Sequence, residues 1–262
     1  MSPRVIVDDV AGVRVLTLNR PEARNALDGA LISALYQALV AADAEPGVAA
    51  VVLTGTDPAF CAGIDLKEAA RDGEAYFDKH RAQPCIPQVA RMATPVIGAV
   101  NGATFTGGLE LALGCDFLIA SERAVFADTH ARVGILPGGG LTARLPPLVG
   151  SGWARRMSYT GEVIDADRAL RIGLVTEVVA HDRLLDRAVE LAGMVAEVPA
   201  ETMRALKGVY VSGTAGTIDA ALAAEQSASA RQRPELADLE QRRAAVTTRN
   251  RRQVRPASGG AQ

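Results

Sequence analysis

Glu110 occupies a position from which a carboxylate could take part in proton transfer. It follows Gly107 and Gly108 in the predicted first turn of a short helix, directly after a strand-like run at residues 95–100. The N-terminus of a helix leaves backbone N–H groups unpaired and carries a partial positive charge. Such a terminus can stabilise negative charge that develops on a substrate oxygen. The competing interpretation of Glu110 is a first-turn carboxylate that only complements the helix dipole.

Asp128 and His130 are the second pair of residues with chemical potential. They are two positions apart, so an extended backbone would place both side chains on the same side. A carboxylate beside a histidine can fix its tautomer and raise its basicity. Histidine has an ordinary pKa near 6.5, so His130 can accept or donate a proton at neutral pH. A histidine that fills a polar gap is the alternative interpretation.

Residues 60–67 form a third informative segment, which follows a buried strand-like run and a turn. Ala62 and Gly63 are small enough to let the backbone approach a bound group closely. Asp65 is placed to cap the start of a helix. A plain strand-to-helix connection explains this segment equally well.

The run Gly138-Gly139-Gly140 begins a stretch that matches the dinucleotide-binding pattern G-x-G-x-x-G/A. It lies in mid-chain behind Pro137 and does not follow the first strand, so the pattern indicates a tight turn instead. The histidines at positions 80, 130 and 181 lack the spacing of metal ligands, and we expect no metal.

Apolar runs alternate with helical patterns over most of the chain, which predicts an α/β fold with parallel strands. The predicted strands cover residues 5–10, 13–18, 48–53, 95–100 and 117–120. One predicted helix is capped by Asp28 and ends before Pro46. Further helices are predicted at residues 75–92, 109–113, 154–160 and 182–196. Beyond residue 199 only helices are predicted, at 200–210, 218–231 and 235–247. We therefore expect an α/β core at 1–198, a helical segment at 199–250 and a disordered tail at 251–262.

The composition excludes several classes of protein. A net charge of −2 and 4% aromatic residues argue against nucleic-acid binding. The N-terminus carries charges where a signal peptide is apolar, and no uncharged apolar run is long enough to span a membrane. Three widely separated cysteines fit a reduced compartment, so a cytoplasmic location is expected.

Several ordered motifs together carry a family resemblance. The stretch N-R-P-E-A-R-N-A-L lies at residues 19–27, and V-L-T-G at 52–55 precedes F-C-A-G-I-D-L at 60–66. T-G at 160–161 is followed by a stretch at 169–175 of the form A-x-x-x-G-L-V. With the segments around Glu110 and His130, these motifs resemble the enoyl-CoA hydratase/isomerase (crotonase) family.

The resemblance implies a crotonase-like spiral of ββα turns, followed by a helical C-terminal segment that forms homotrimers or hexamers. It implies an acyl-CoA thioester as ligand, with no metal and no cofactor apart from the coenzyme A that is part of the substrate. It assigns an oxyanion hole to the backbone N–H groups of Ile64 and Gly107. Binding of the CoA and thioester portion is assigned to Ala62, Gly63, Asp65, Leu66 and Lys67.

The sequence departs from the family pattern at one catalytic position. Glu110 matches the first of two family glutamates that hold a water molecule, but His130 stands where the second is expected. Hydration of an enoyl-CoA double bond by a Glu110–His130 pair, with Asp128 orienting the histidine, is the leading hypothesis. Two alternatives stay open: a double-bond isomerase that uses Glu110 alone, although family isomerases usually keep the second glutamate, and an acyl-CoA-binding protein with little turnover.

Overall fold

The computed structural model describes residues 2–232 and 238–254 of the protein. Within these residues the strands are β1 (Val5–Val10), β2 (Val13–Leu18), β3 (Ala50–Gly55), β4 (Ala59–Cys61), β5 (Val96–Val100), β6 (Ala103–Phe105), β7 (Phe117–Ser121), β8 (Val125–Ala127), β9 (Ile164–Asp165) and β10 (Glu177–Val179). The α-helices are α1 (Gly29–Ala44), α2 (Leu66–Asp72), α3 (Glu74–Ala82), α4 (Cys85–Arg91), α5 (Gly107–Leu113), α6 (His130–Val133), α7 (Leu141–Thr160), α8 (Ala166–Arg171), α9 (Leu184–Ala196), α10 (Ala200–Arg231) and α11 (Leu239–Val254).

The strands form two sheets. The larger has six strands in the order β1-β2-β3-β5-β7-β10, and the smaller has the order β4-β6-β8-β9. In the larger sheet β1 and β2 make the predicted antiparallel hairpin, while the pairs from β2 to β10 are parallel. This arrangement confirms the predicted α/β class with parallel pairing.

A repeated ββα unit connects the two sheets. In β3-β4-α2, β5-β6-α5 and β7-β8-α6, the first strand joins the large sheet and the second joins the small sheet. β4, β6 and β8 are parallel neighbours, so their carboxyl ends lie at one edge of the small sheet. The three segments that the sequence singled out follow these ends and are therefore brought together.

Burial on both faces of the large sheet explains its uninterrupted apolar strands. β3 and β5 are buried along their whole length. One face packs on α9 through Leu184, Ala188 and Ala192, while the other lies against the main core. α1 contributes Leu31, Ile32, Leu35 and Leu39 to that core and begins, as predicted, at an Asp28 cap whose carboxylate accepts the Leu31 N–H.

Several helix predictions need correction. The predicted helix at 75–92 is wrong in extent, because the chain forms α3 and α4 with a break between them at residues 83–84. The helix expected at 154–160 is the end of the longer α7, which kinks at Gly150. The helices expected at 200–210 and 218–231 are one continuous helix, α10, so glycines at 213 and 216 do not interrupt it.

The C-terminal segment packs back onto the core. α10 contacts α7, and α11 contacts α2 and α6. α11 runs through residue 254, so the first four residues of the predicted tail, 251–254, are helical, and residues 255–262 of that predicted tail lie outside the described residues. Among the helices of residues 2–232 and 238–254, none combines the length and apolar character needed to cross a membrane.

Candidate active site

The N-terminus of α5 is built by an unusual backbone turn at Thr106. Thr106 has φ +49° and ψ −117°, a conformation that residues with a side chain rarely adopt. Its N–H donates to the Ala127 carbonyl of β8, and its carbonyl accepts the Glu110 N–H. This turn starts α5 at Gly107 and sets the direction of its first N–H groups.

The loop after β4 lies directly against this turn. Gly63 has φ +94°, and a Cβ at that position would collide with Thr106 Oγ1 and approach the Phe105 carbonyl. A Cβ built on Gly107 would lie 3.6 Å from the Ile64 nitrogen. The Ile64 and Gly107 nitrogens therefore border the same small space. Neither N–H has a hydrogen-bond acceptor among the residues that the structure describes.

Asp128 and His130 contact each other, as predicted, but through a different backbone conformation. The condition of an extended backbone is not met here, because β8 ends at Ala127 and α6 begins at His130. The Asp128 side chain folds over this junction, and its Oδ1 accepts the His130 backbone N–H at 3.1 Å and lies 2.7 Å from His130 Nδ1. A proton on Nδ1 satisfies this contact and leaves Nε2 as the reactive nitrogen.

Glu110 and His130 face each other in a buried site. His130 Nε2 lies 3.7 Å from Glu110 Oε2, and the two residues are 7% and 4% exposed. Burial raises the pKa of Glu110, although the nearby His130 opposes this effect. Burial acts to lower the pKa of His130, but the charges of Glu110 and Asp128 raise it overall. Both directions favour retention of a proton by the pair.

The other Glu110 oxygen is held by the glycine run. Glu110 Oε1 accepts the Gly139 N–H at 2.8 Å and the Leu141 N–H at 3.4 Å. Gly140, with φ +108°, makes the tight turn that the glycine run predicts and leads into α7. The sequence pattern indicated the turn but carried no signal that its N–H groups hold Glu110.

The remaining predicted binding residues follow β4. Asp65 caps α2 by accepting the Lys67 and Glu68 N–H groups, and Arg20 Nη1 lies 2.6 Å from its Oδ2. Burial opposes the Asp65 charge, but the Arg20 hydrogen bond lowers its pKa overall. The predicted helix cap is thus confirmed, whereas Lys67 is exposed on α2 and its charge acts on Glu240 of α11. Ala62 and Leu66 are half-buried on either side of the loop.

The described residues contain no group of three or more His, Cys, Asp or Glu side chains suited to hold a metal ion. The site instead consists of two free N–H groups, a buried carboxylate and a buried imidazole backed by a second carboxylate. This arrangement is suited to polarising a carbonyl while protons move nearby.

Comparisons with known proteins show the family to which this fold belongs. The family described as Enoyl-CoA hydratase/isomerase matches residues 8–239. A relative named crotonyl-CoA hydratase, from Syntrophomonas wolfei, is 37% identical over 86% of this chain and 87% of its own. A probable enoyl-CoA hydratase from Rhizobium meliloti is 42% identical over 73% of this chain and 75% of its own.

Solved structures show the same relationship. The enoyl-CoA hydratase from Mycobacterium smegmatis is 50% identical, with a TM-score of 0.79 over 88% of this chain and 98% of that one. An enoyl-CoA hydratase from Mycobacterium tuberculosis H37Rv is 47% identical, with a TM-score of 0.78 over 92% of this chain and 99% of that one. The protein belongs to the enoyl-CoA hydratase/isomerase family, with the crotonase fold, and is an enzyme of that family.

Proposed function

We propose that this protein is a hydratase that adds water across the 2,3 double bond of an enoyl-CoA thioester. Relatives named as enoyl-CoA and crotonyl-CoA hydratases support the substrate class. The observation that carries the proposal is the contact between Glu110 and His130, whose facing atoms are 3.7 Å apart. Two proton-transfer groups so close together can act on one water molecule and one double bond.

The thioester carbonyl is polarised by backbone donors. Its oxygen accepts the N–H groups of Ile64 and Gly107, which border one space and are otherwise without acceptors among the described residues. As water adds to the β-carbon, negative charge develops on this oxygen, and the two donors stabilise it. Loss of one such donor typically costs about 3 kcal/mol of transition-state stabilisation.

The Glu110–His130 pair supplies the proton transfers. In the proposed mechanism the pair carries one proton between its two members, so one member is a base and the other an acid, and the raised pKa of each favours retention of that proton. The base takes a proton from water as the hydroxyl adds to the β-carbon, and the acid protonates the α-carbon. The pair regains its single proton in each cycle. Asp128 orients the imidazole and keeps Nε2 directed toward the site.

The loop after β4 and the start of α2 bind the rest of the ligand in this proposal. Residues 62–67 bind the CoA and thioester portion through Ala62, Gly63, Asp65, Leu66 and Lys67, with Asp65 holding the loop and Lys67 exposed to the ligand's phosphates. The proposed reaction uses no metal and no cofactor apart from the coenzyme A that is part of the substrate.

A spectroscopic assay tests the reaction. Short trans-2-enoyl-CoA thioesters absorb in the ultraviolet through their conjugated carbonyl, and hydration removes this band. We expect purified protein to remove it at a rate proportional to enzyme concentration. Absence of any loss across several chain lengths would refute hydration. Appearance of the band from a 3-enoyl-CoA would indicate isomerisation, and a raised melting temperature with no turnover would indicate a binding protein.

We also propose that the protein assembles as a homotrimer, or as a hexamer of two trimers, in the cytoplasm. Support for assembly comes from α10, where Leu206, Val209 and Tyr210 are exposed large apolar side chains. Support for a reduced compartment comes from the cysteines, all three of which are free thiols.

A further inference from the structure

Two carboxylates share the backbone N–H groups at the start of α7. The N–H groups of Gly139 and Leu141 point to Glu110 Oε1. The intervening Gly140 N–H donates to Glu225 Oε1 at 2.6 Å, and the Thr142 N–H donates to Glu225 Oε2 at 2.7 Å. Four consecutive N–H groups therefore alternate between a residue of the active site and a residue of α10.

Glu225 is held unusually firmly for a residue so distant in sequence. The Thr142 hydroxyl gives the carboxylate a third hydrogen bond, to Oε2 at 2.5 Å, and the residue is only 6% exposed. Among the described residues, no basic side chain forms an ion pair with it. A buried carboxylate is costly unless it is well compensated. The helix N-terminus supplies donors and a favourable dipole to Glu225, and Arg144 on α7 adds a nearby positive charge.

Close packing against Glu110 explains why residue 139 of the glycine run has no side chain. A Cβ on Gly139 would lie 2.7 Å from Glu110 Oε2 and 2.8 Å from Ile86 Cγ2. The backbone of residues 139–140 thus lies tightly between the two carboxylates. A shift at the start of α7 would move the N–H groups that hold Glu110.

We propose that Glu225 is a positioning residue, which fixes the start of α7 so that Gly139 and Leu141 hold Glu110, and whose negative charge acts on the Glu110–His130 pair. The rate measurements that test this inference rest on the proposed function. It makes the C-terminal helix α10 a part of the active site. A role confined to assembly would not require a buried carboxylate at this point.

The negative charge of Glu225 changes the pKa of both members of the Glu110–His130 pair in the same direction. It raises the pKa of Glu110 and of His130, so it favours retention of the shared proton. The other charged groups that face the pair are Asp128 at the start of α6 and Arg144 on α7. Removal of the Glu225 charge alone should therefore lower both pKa values and move the pH–rate profile to lower pH.

Glu225→Gln tests the charge. The chain contains only three histidines, so ring NMR signals can be followed and His130 assigned with a His130→Ala variant. We expect the pKa of His130 to fall and kcat to fall by about 10-fold or more, with KM changed less. An unchanged His130 titration in Glu225→Gln would overturn the inference.

Glu225→Asp separates geometry from charge and remains informative if the glutamine variant does not fold. It keeps the negative charge but draws the carboxylate away from the start of α7 by one methylene. We expect a His130 pKa near that of the wild type together with a lower kcat. Wild-type turnover in this variant would overturn the positioning role.

Lys207→Met on the same helix is the matched control. Lys207 is buried and anchors α10 through Asp116, at 2.8 Å, and the Thr94 carbonyl, so its loss destabilises the helix away from the site. We expect a lower urea midpoint with an unchanged His130 titration, and a shift equal to that of Glu225→Gln would overturn the inference. If wild-type protein hydrates no enoyl-CoA, the proposed function fails, while the His130 titration still tests Glu225.

Discussion

His130 is held differently from a carboxylate at the same position. Its Nδ1 forms a hydrogen bond with Asp128 Oδ1, and its Nε2 faces Glu110. Two carboxylates at this distance would repel each other, whereas an imidazole and a carboxylate attract when they share one proton. In the proposed mechanism, histidine at position 130 therefore keeps one acid and one base in the site, and its ordinary pKa near 6.5 sets the pH range in which both are present.

Asp128→Asn tests how the imidazole is tuned. The asparagine oxygen can still accept from Nδ1, but the negative charge that raises the pKa of His130 is lost. We expect the basic limb of the pH–rate profile to move to lower pH by about one unit, because the pair loses its proton sooner. A full pH profile of kcat/KM measures this shift, and a basic limb that stays in place would refute the role of Asp128.

Gly139→Ala tests the close packing around Glu110. The added Cβ would lie 2.7 Å from Glu110 Oε2, so the carboxylate must move from its position. We expect kcat to fall by roughly 100-fold, because small misplacements of reacting groups have effects of this size. Gly138→Ala is the control, since its Cβ meets only the rotatable Ser229 side chain. Equal activities of the two variants would contradict the proposed geometry.

At the scale of elements, the site depends on the contact between the loop after β4 and the start of α5. Gly63 and Thr106 both have positive φ, and they pack so closely that a Cβ on Gly63 would collide with Thr106 Oγ1. Such conformations cost free energy and persist only where the surroundings enforce them. The neighbouring positions of the Ile64 and Gly107 N–H groups are the result.

Gly63→Ala should separate these two segments. Its Cβ would collide with Thr106 Oγ1, so hydration should fall by about 100-fold through loss of an oxyanion donor. Gly73→Ala also has positive φ but meets no atom within 4 Å, so it measures backbone strain alone, about 1 kcal/mol. Urea unfolding and turnover are compared for both variants. Comparable turnover in the two would argue against an oxyanion hole at this contact.

Local sequence signals predicted most of this arrangement. Apolar runs indicated the strands β3, β5 and β7, and the glycines before Glu110 indicated the start of α5. The contact of Asp128 with His130 was also predicted, although the turn that makes it was not. Glu225 carried no local signal, because its partners lie 83 and 85 residues away and only the packing of α10 on α7 reveals them.

At the scale of the whole molecule, α10 connects the site with the exposed surface. Its Glu225 reaches the start of α7, while its Val209 and Tyr210 are 68% and 71% exposed. We therefore expect the apolar end of α10 to be covered by a second copy of the chain in solution.

Sedimentation equilibrium tests this assembly. The wild-type mass should be three or six times that of one chain, and Val209→Glu should lower it, because a buried charge in an apolar interface is costly. Val10→Glu on the edge strand β1 is a control at another exposed valine and should leave the mass unchanged. A monomeric wild-type protein would contradict the proposed assembly.

A double-variant cycle tests the central claim most directly, namely that Glu110 and His130 act as one acid–base pair. The hydration rate of a short trans-2-enoyl-CoA is measured for the wild type, Glu110→Gln, His130→Ala and the double variant. We predict that each single variant loses about 100-fold or more in kcat, and that the double variant loses little more than either. Wild-type hydration by His130→Ala would contradict the account.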